Sequence, residues 1–412
     1  MRTAFGLVRR AYASPARHPR TAVVLGRLLA LGFLICFATG LYSHFLQNPL
    51  PGMAFPTRPL WLYRVSQGTH VAVGTALIPV LLAKLWTVQP LLFQWPPVRT
   101  VRGVLERGSI ALLVAASLVE LAIGLANTFQ WYPWPFRFRE THFALAWTII
   151  GALAVHIGVK LPIIVRWWRR RGSLDAEGGL LPVGPGEGEL SRPEPMRARG
   201  LTGAVQRRLD AGPTPPARLS RRTVLAATGA ATVAVTATTV GQSLPPLAPL
   251  NAFAPRRLRY GPQGLPVNRT AAEAKVVQLA QDAGWTLTVQ GPDRAAAFTL
   301  DALRALPQTE VELPIACVEG WSTSARWRGV RVQELMAAVG ASGREVVVRS
   351  FATGAYSTTL LQPEFAGDPL TLVALELNGE VLHVDHGYPA RLIAPARPGV
   401  LQTKWLRSLE AR

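Results

Sequence analysis

Cysteine is nearly absent: Cys36 and Cys317 are the only two in 412 residues. Cys36 lies inside an apolar run and Cys317 inside a polar segment, so no disulfide framework is expected. A lone thiol in a polar domain is an inert buried residue, a metal ligand or a nucleophile. Acidic residues are scarce as well, 24 against 44 Lys and Arg, which leaves a formal net charge of +20. That balance would suit a nucleic-acid binder. However, apolar residues make up 49% of the chain and are bunched into long runs within the first 166 positions. The arginines therefore read as loop markers between membrane segments, and no nucleic-acid partner is expected. A glycine-rich nucleotide cradle is also lacking, which argues against a nucleotide-bearing cofactor.

What is present begins with four apolar runs, Thr21–Leu46, Gly68–Val88, Arg107–Phe129 and Thr141–Val165, each near the ~20 residues needed to cross a bilayer. Arg2, Arg9, Arg10, Arg17 and Arg20 precede the first run; Arg99, Arg102 and Arg107 lie between the second and third; Arg166-Trp167-Trp168-Arg169-Arg170-Arg171 closes the fourth. The positive-inside rule puts these segments in the cytoplasm. The opposite loops, Pro59-Leu60-Trp61 and Trp131-Tyr132-Pro133-Trp134-Pro135, read as outer turns with interfacial aromatics. Residues 1–20 form a cytoplasmic N-terminus and 21–171 a four-helix membrane bundle. Residues 172–219, rich in Gly, Pro and Arg, form a disordered cytoplasmic linker. Ser220-Arg221-Arg222-Thr223-Val224-Leu225-Ala226 and the weakly apolar stretch after it resemble an internal twin-arginine export signal. Val224 and Ala226 depart from that pattern, and an ordinary fifth span is the plainer reading. Either way, residues 220–244 are expected to be an uncleaved anchor that places the C-terminal domain outside the cytoplasm.

Residues 256–412 alternate short strand-like runs with turns. Strands are expected over Thr286–Val289, Glu345–Arg349 and Leu370–Leu375, and helices over Leu300–Leu306 and Val332–Val339, a mixed α+β domain. Two blocks carry a specific likeness. The first is Cys317-Val318-Glu319-Gly320-Trp321-Ser322 with Trp327-Arg328-Gly329-Val330. The second is Leu377-Asn378-Gly379-Glu380, then His386-Gly387-Tyr388-Pro389-Ala390-Arg391-Leu392-Ile393-Ala394-Pro395, closing with Gln402-Thr403-Lys404-Trp405. In this order the chain resembles the molybdopterin-binding domain of the sulfite oxidase family, most closely the catalytic subunit of periplasmic methionine sulfoxide reductases. The resemblance implies that Cys317 ligates molybdenum as thiolate. It places Asn268, Trp321, Ser322, Thr353, His386, Arg391, Gln402, Thr403 and Lys404 on the Mo-molybdopterin cofactor, although His386 stands where the reductases have Asn. Trp321 and Trp327, taken without the resemblance, read as packing residues rather than chemical ones. Arg391 and Lys404, taken without the resemblance, read as an ion-pair partner and a solvated strand end. Arg326, Arg328, Arg349, Glu319 and Tyr356 are candidates for a substrate pocket.

Four of the seven histidines, His44, His70, His142 and His156, lie in or beside the spans. His142 and His156 are fourteen residues apart, which on a helix is ~21 Å of rise and about 40° of rotation. That spacing resembles membrane b-type cytochromes, in which imidazoles ligate haem iron in pairs. His142 with His70 or His44 would hold one outer haem b, and a tilted pairing of His70 with His156 remains open. The sequence thus predicts an all-α membrane bundle of four spans plus a fifth, followed by a sulfite-oxidase-like α+β molybdopterin domain. The expected protein is a multi-pass oxidoreductase of the cell membrane. It would act on a small-molecule substrate outside the cytoplasm and exchange electrons with quinone or another redox partner through haem. A haem-free anchor served by an external electron partner, and a non-catalytic binding or sensory module, are the alternatives.

Overall fold

The computed structural model describes residues 14, 16–93, 100–169, 173, 181, 200, 201, 203, 204, 220–354 and 357–412. Arg2, Arg9, Arg10, Arg99, Arg170, Arg171, Tyr356 and nearly all of the expected linker lie outside the described residues. The long helices are α1 (Pro19–Gln47), α2 (Leu62–Val88), α3 (Val101–Thr128), α4 (Phe138–Arg166) and α5 (Arg221–Thr239). The first four are long and apolar enough to cross a membrane; α5, at 19 residues, is not among them. Within a bilayer every backbone polar group must be satisfied inside the segment, and a continuous helix does this. Hydrophilic caps mark the ends: Thr100 Oγ1 accepts from Gly103 N at 3.1 Å, and Ser220 Oγ accepts from Thr223 N at 3.1 Å.

The chain divides into two compact units, Met1–Phe37 with Val73–Thr236, and Ala38–Ala72 with Ala237–Arg412. The first is helical. Leu25, Leu29, Phe33, Leu77, Val80, Leu81, Ala116 and Ile149 form its core. Some of the polar groups in this unit are engaged, while Ser117 Oγ and His156 Nδ1 are buried without a hydrogen-bond partner. Lys160 bonds Glu106, Lys84 Nζ donates to Ala22 O at 2.5 Å, and His142 Nδ1 lies 3.2 Å from Glu120 Oε1. Pairing of this kind is what buried charge requires.

The second unit holds two five-stranded sheets. In chain order the elements are a helical turn α6 (Val277–Ala280), β1 (Thr286–Gln290), β2 (Ala295–Thr299), α7 (Leu300–Ala305), β3 (Thr309–Ala316), β4 (Ser322–Arg331), α8 (Val332–Ala338), β5 (Val346–Ser350), β6 (Thr358–Leu361), α9 (Pro363–Ala366), β7 (Leu372–Leu377), β8 (Glu380–Val381), β9 (Arg391–Ile393) and β10 (Leu406–Ala411). The first sheet has the order β2-β1-β10-β5-β6, with β1 and β10 parallel. The second has the order β3-β4-β7-β8, and β9 pairs with β7 as well. Alternation marks a half-buried strand in β1, where Leu287 and Val289 are buried while their neighbours face out. Central β7 is buried on both faces along most of its length. The expected strands and helices appear with ends shifted by one or two residues, β7 by two.

Residues 38–72 belong to this second unit. Phe55 N donates to Glu364 Oε1 at 2.8 Å, and Arg58 forms a two-pronged pair with Asp368 at 2.8 and 3.2 Å. Leu46, Phe55 and Tyr63 enter the main hydrophobic core with Leu361, Phe365 and Val373.

Candidate functional site

The β3–β4 hairpin closes through five residues, from Cys317 to Trp321. Cys317 N donates to Trp321 O at 2.8 Å and Gly320 N to Cys317 O at 3.0 Å, a tight turn that needs φ +97° at Gly320. The turn sets Cys317 at the head of the sheet, 4% exposed, among Leu265, Ile315, Trp321 and Trp327. Its sulfur accepts a hydrogen bond from Asn268 Nδ2 at 2.7 Å. Asn268 is held in turn: its Oδ1 accepts from Trp321 Nε1 at 2.8 Å and from Arg256 Nε at 3.5 Å. Burial pushes the thiol pKa up and nearby Glu319 adds to this, while the Glu319 amide, Asn268 and Arg256 act in the opposite sense.

Beside the cysteine lies a second layer of residues. Gly399 packs so close that a Cβ there would approach Ala316 O to 3.0 Å. Arg391, 4% exposed at the start of β9, donates from Nη1 to His386 O at 3.0 Å and from Nη2 to Gln402 O at 3.1 Å; its Nε is buried with no partner. The guanidinium stands 5.1 Å from the Trp327 ring. Lys404 Nζ donates to Arg269 O at 2.6 Å and to Asp385 O at 2.9 Å. Burial, then Arg391, bring Lys404 down to about 7, and burial brings Arg391 down to about 9. His386 Nε2 donates to Pro262 O at 2.7 Å, and burial lowers the imidazole to about 4, so the ring is neutral. Gly387, at φ +113°, brings these strands together; a Cβ there would meet Arg391 Cβ at 3.0 Å and Lys404 Cβ at 3.1 Å.

The structure therefore brings Cys317, Asn268 and Trp321 into direct contact and gathers a neutral His386 with the basic side chains Arg391 and Lys404. Ser322 is buried with its hydroxyl unpartnered. Gln402 and Thr403 lie in the same region, but their side chains are engaged by protein. The Gln402 amide closes on Ala394 N and O, both at 2.8 Å, and Thr403 Oγ1 meets Thr359 Oγ1 at 2.8 Å. Thr353 is exposed and its carbonyl accepts from Arg269 Nη1 at 3.1 Å. Of the pocket candidates, Arg328 and Arg349 are paired with Glu376 and Glu410 on strand surfaces, and Arg326 is exposed. Sequence reasoning missed Arg256 and Arg269, whose only signal is their nearness in sequence to Asn268. His70 Nδ1 lies 3.1 Å from Thr39 Oγ1, and His44 packs edge-on to Phe45. His156 Nδ1 is buried with no partner.

The donor set suits a pterin-borne metal. Among the described residues no three His, Cys, Asp or Glu converge as a metal cluster, and one buried sulfur suffices for a metal whose other ligands come with its cofactor. Arg391 Nε and Ser322 Oγ are buried groups awaiting partners. The excess of cations beside them matches a phosphate-bearing group.

Comparison with known proteins agrees. Residues 274–412 match the family described as "Oxidoreductase molybdopterin binding domain". The chain is 33% identical over 113 residues to "Putative protein-methionine-sulfoxide reductase subunit YedZ1" of Azospira oryzae, covering 27% of this chain and 43% of that one. It is 32% identical over 138 residues to "Protein-methionine-sulfoxide reductase catalytic subunit MsrP" of Burkholderia mallei, covering 29% and 41%. It is 29% identical over 150 residues to "Sulfite oxidase, mitochondrial" of Drosophila melanogaster, covering 30% and 26%. Each match spans less than half of the relative's length. The C-terminal part of the chain is thus a molybdopterin-binding oxidoreductase domain, joined to a helical part with four candidate membrane spans.

Proposed function

We propose that this chain is a membrane-anchored molybdenum oxidoreductase that transfers two electrons to or from a small substrate outside the cytoplasm, and that its helical part conducts those electrons. The observation that carries the reading is the buried Cys317 sulfur, bonded by Asn268 at 2.7 Å beside the cations Arg391 and Lys404. A molybdopterin held there supplies a metal that cycles through two electrons. The chain supplies the rest. Cys317 donates sulfur, Asn268 and the Glu319 amide neutralise charge on it, and Arg391, Ser322 and Lys404 offer partners for the anionic cofactor. Reduction of sulfoxides is the substrate class that the MsrP likeness favours.

Haem b in the helical part is the finer reading, and within each unit one imidazole is engaged at Nδ1. Thr39 does this for His70 at 3.1 Å and Glu120 does it for His142 at 3.2 Å. The same bonds also suit histidines merely satisfied within a haem-free anchor, which is the second reading. Export of the C-terminal domain by Arg221-Arg222, with α5 as a fifth anchor, fits a cofactor inserted before translocation.

Molybdenum and pterin analysis of the purified chain, with turnover screened on sulfoxides, N-oxides and sulfite, tests the reading. Cys317→Ser should abolish turnover while the helical part stays folded. Turnover retained by Cys317→Ser, or a wild-type chain without molybdenum, would falsify it. A reduced-minus-oxidised spectrum separates the haem-bearing form from the haem-free one.

A further inference from the structure

The Cys317 loop is held from outside the matched residues 274–412. Gln67, on the first turns of α2 and 7% exposed, donates from Nε2 to Val318 O at 3.0 Å. Its Oε1 accepts from Tyr63 Oη at 3.4 Å, and Tyr63 Oη lies 3.0 Å from Ser43 Oγ on α1. Val71, one turn after Gln67, fills the space beside Gly320, where a Cβ would come within 3.1 Å of Val71 Cγ2. From the other side Gln242 Nε2 reaches Glu319 O at 3.5 Å, and Ser243 Oγ bonds Gly320 O.

The Val318 carbonyl and the Glu319 N–H belong to one peptide group. Its oxygen accepts from Gln67 Nε2 at 3.0 Å, and the Glu319 amide is the backbone group that favours the Cys317 thiolate. A donor at a peptide oxygen polarises the group and strengthens its N–H as a donor. Hydrogen bonds to a ligating sulfur withdraw charge from it and set the potential of the metal it holds. A side chain of a membrane helix therefore reaches the sulfur through a single peptide plane, and His70 lies three residues further along the same helix.

We propose that Gln67 is a positioning residue for the metal thiolate: by fixing the Val318–Glu319 peptide it sets how strongly the Glu319 amide favours the Cys317 thiolate and thereby tunes the metal's reduction potential from α2. The proposal rests on Cys317 being the metal ligand. Loss of the Gln67 bond leaves more charge on sulfur, which favours the oxidised metal, so the potential falls.

The test uses the full-length, cofactor-loaded protein. Gln67→Met keeps length and removes the donor, whereas Gln67→His restores an N–H at similar reach. Tyr63→Phe loosens Gln67 without touching the loop. The molybdenum potential is read by spectroscopically monitored titration, with metal content measured alongside. We expect full metal content throughout, a potential shifted downward in Gln67→Met, a smaller shift of the same sign in Tyr63→Phe, and a return toward wild type in Gln67→His. Unchanged potentials in loaded Gln67→Met and Tyr63→Phe overturn the tuning role and leave the ligand assignment standing. A wild-type chain that carries no molybdenum sinks both.

Discussion

Asn268 and Cys317 are 49 residues apart in sequence, yet the asparagine amide donates to the cysteine sulfur at 2.7 Å. Its other arm receives the Trp321 indole at 2.8 Å, so the donor's direction is fixed by the hairpin it serves. Partners one shell out from a metal commonly govern a factor of about 10–100 in affinity or activity. Asn268→Ala should lower bound molybdenum or turnover within that range, and Asn268→Asp, which sets a carboxylate against the sulfur, should do so more severely. Elemental analysis with turnover measured on the same sample decides it; wild-type values for both variants would refute the role.

His386 supplies a pH dependence of stability. Burial first, then Arg391, lowers its pKa from 6.5 to about 4, and the ring is 3% exposed. The unfolded chain therefore binds a proton that the folded chain refuses. This contribution is complete above pH 6.5 and is lost as pH falls toward 4, on the order of 3 kcal/mol in all. His386→Gln keeps a donor for Pro262 O but cannot titrate, so it should flatten the thermal-unfolding profile of the full-length chain between pH 6.5 and 4. A slope equal to wild type would show that another group dominates.

Gly387 has φ +113°, and a Cβ added there would meet Arg391 Cβ at 3.0 Å and Lys404 Cβ at 3.1 Å. Any Cβ there is strained in backbone and in contact, and neither neighbour is the free end of a flexible chain. Gly387→Ala should cost about 1–3 kcal/mol and reduce cofactor retention together with stability. Chemical unfolding against metal content checks both.

The haem reading makes a separable prediction. His70→Ala and His142→Ala should each abolish a b-type spectrum. Glu120→Gln should keep the haem but shift its potential, because the Nδ1 partner of His142 changes from carboxylate to amide. Wild-type spectra in both histidine variants would favour the haem-free anchor.

Much of this was legible in the sequence because it is written locally. The apolar runs mark the helices, and the Cys317 and Arg391–Lys404 blocks mark the domain. Where boundaries slipped, a local competitor prevailed. Leu370 N bonds Asp368 Oδ1 at 2.9 Å and Thr371 N bonds Asp368 O at 3.0 Å, so a turn takes residues 368–371 and β7 starts at Leu372 rather than Leu370. α2 begins at Leu62, six residues before the apolar run, because Tyr63 and Gln67 spend their polar atoms on partners of the second unit. Hydropathy cannot register a helix whose first turns serve another domain. The Gln67–Val318 bond joins residues 251 apart and leaves no periodic trace.

That distance in sequence bears on how the site comes into being. Four groups that hold the Cys317 loop or its sulfur, Gln67, Gln242, Ser243 and Asn268, precede residue 274, and one of them precedes most of the chain. No single cut yields a fragment that contains the cysteine loop with all its supports and omits the helices between them. During synthesis Gln67 emerges long before Cys317 and must wait for it. The Cys317 loop is therefore finished only when segments around residues 67, 242, 268 and 317 meet, which makes its completion a checkpoint on everything between them.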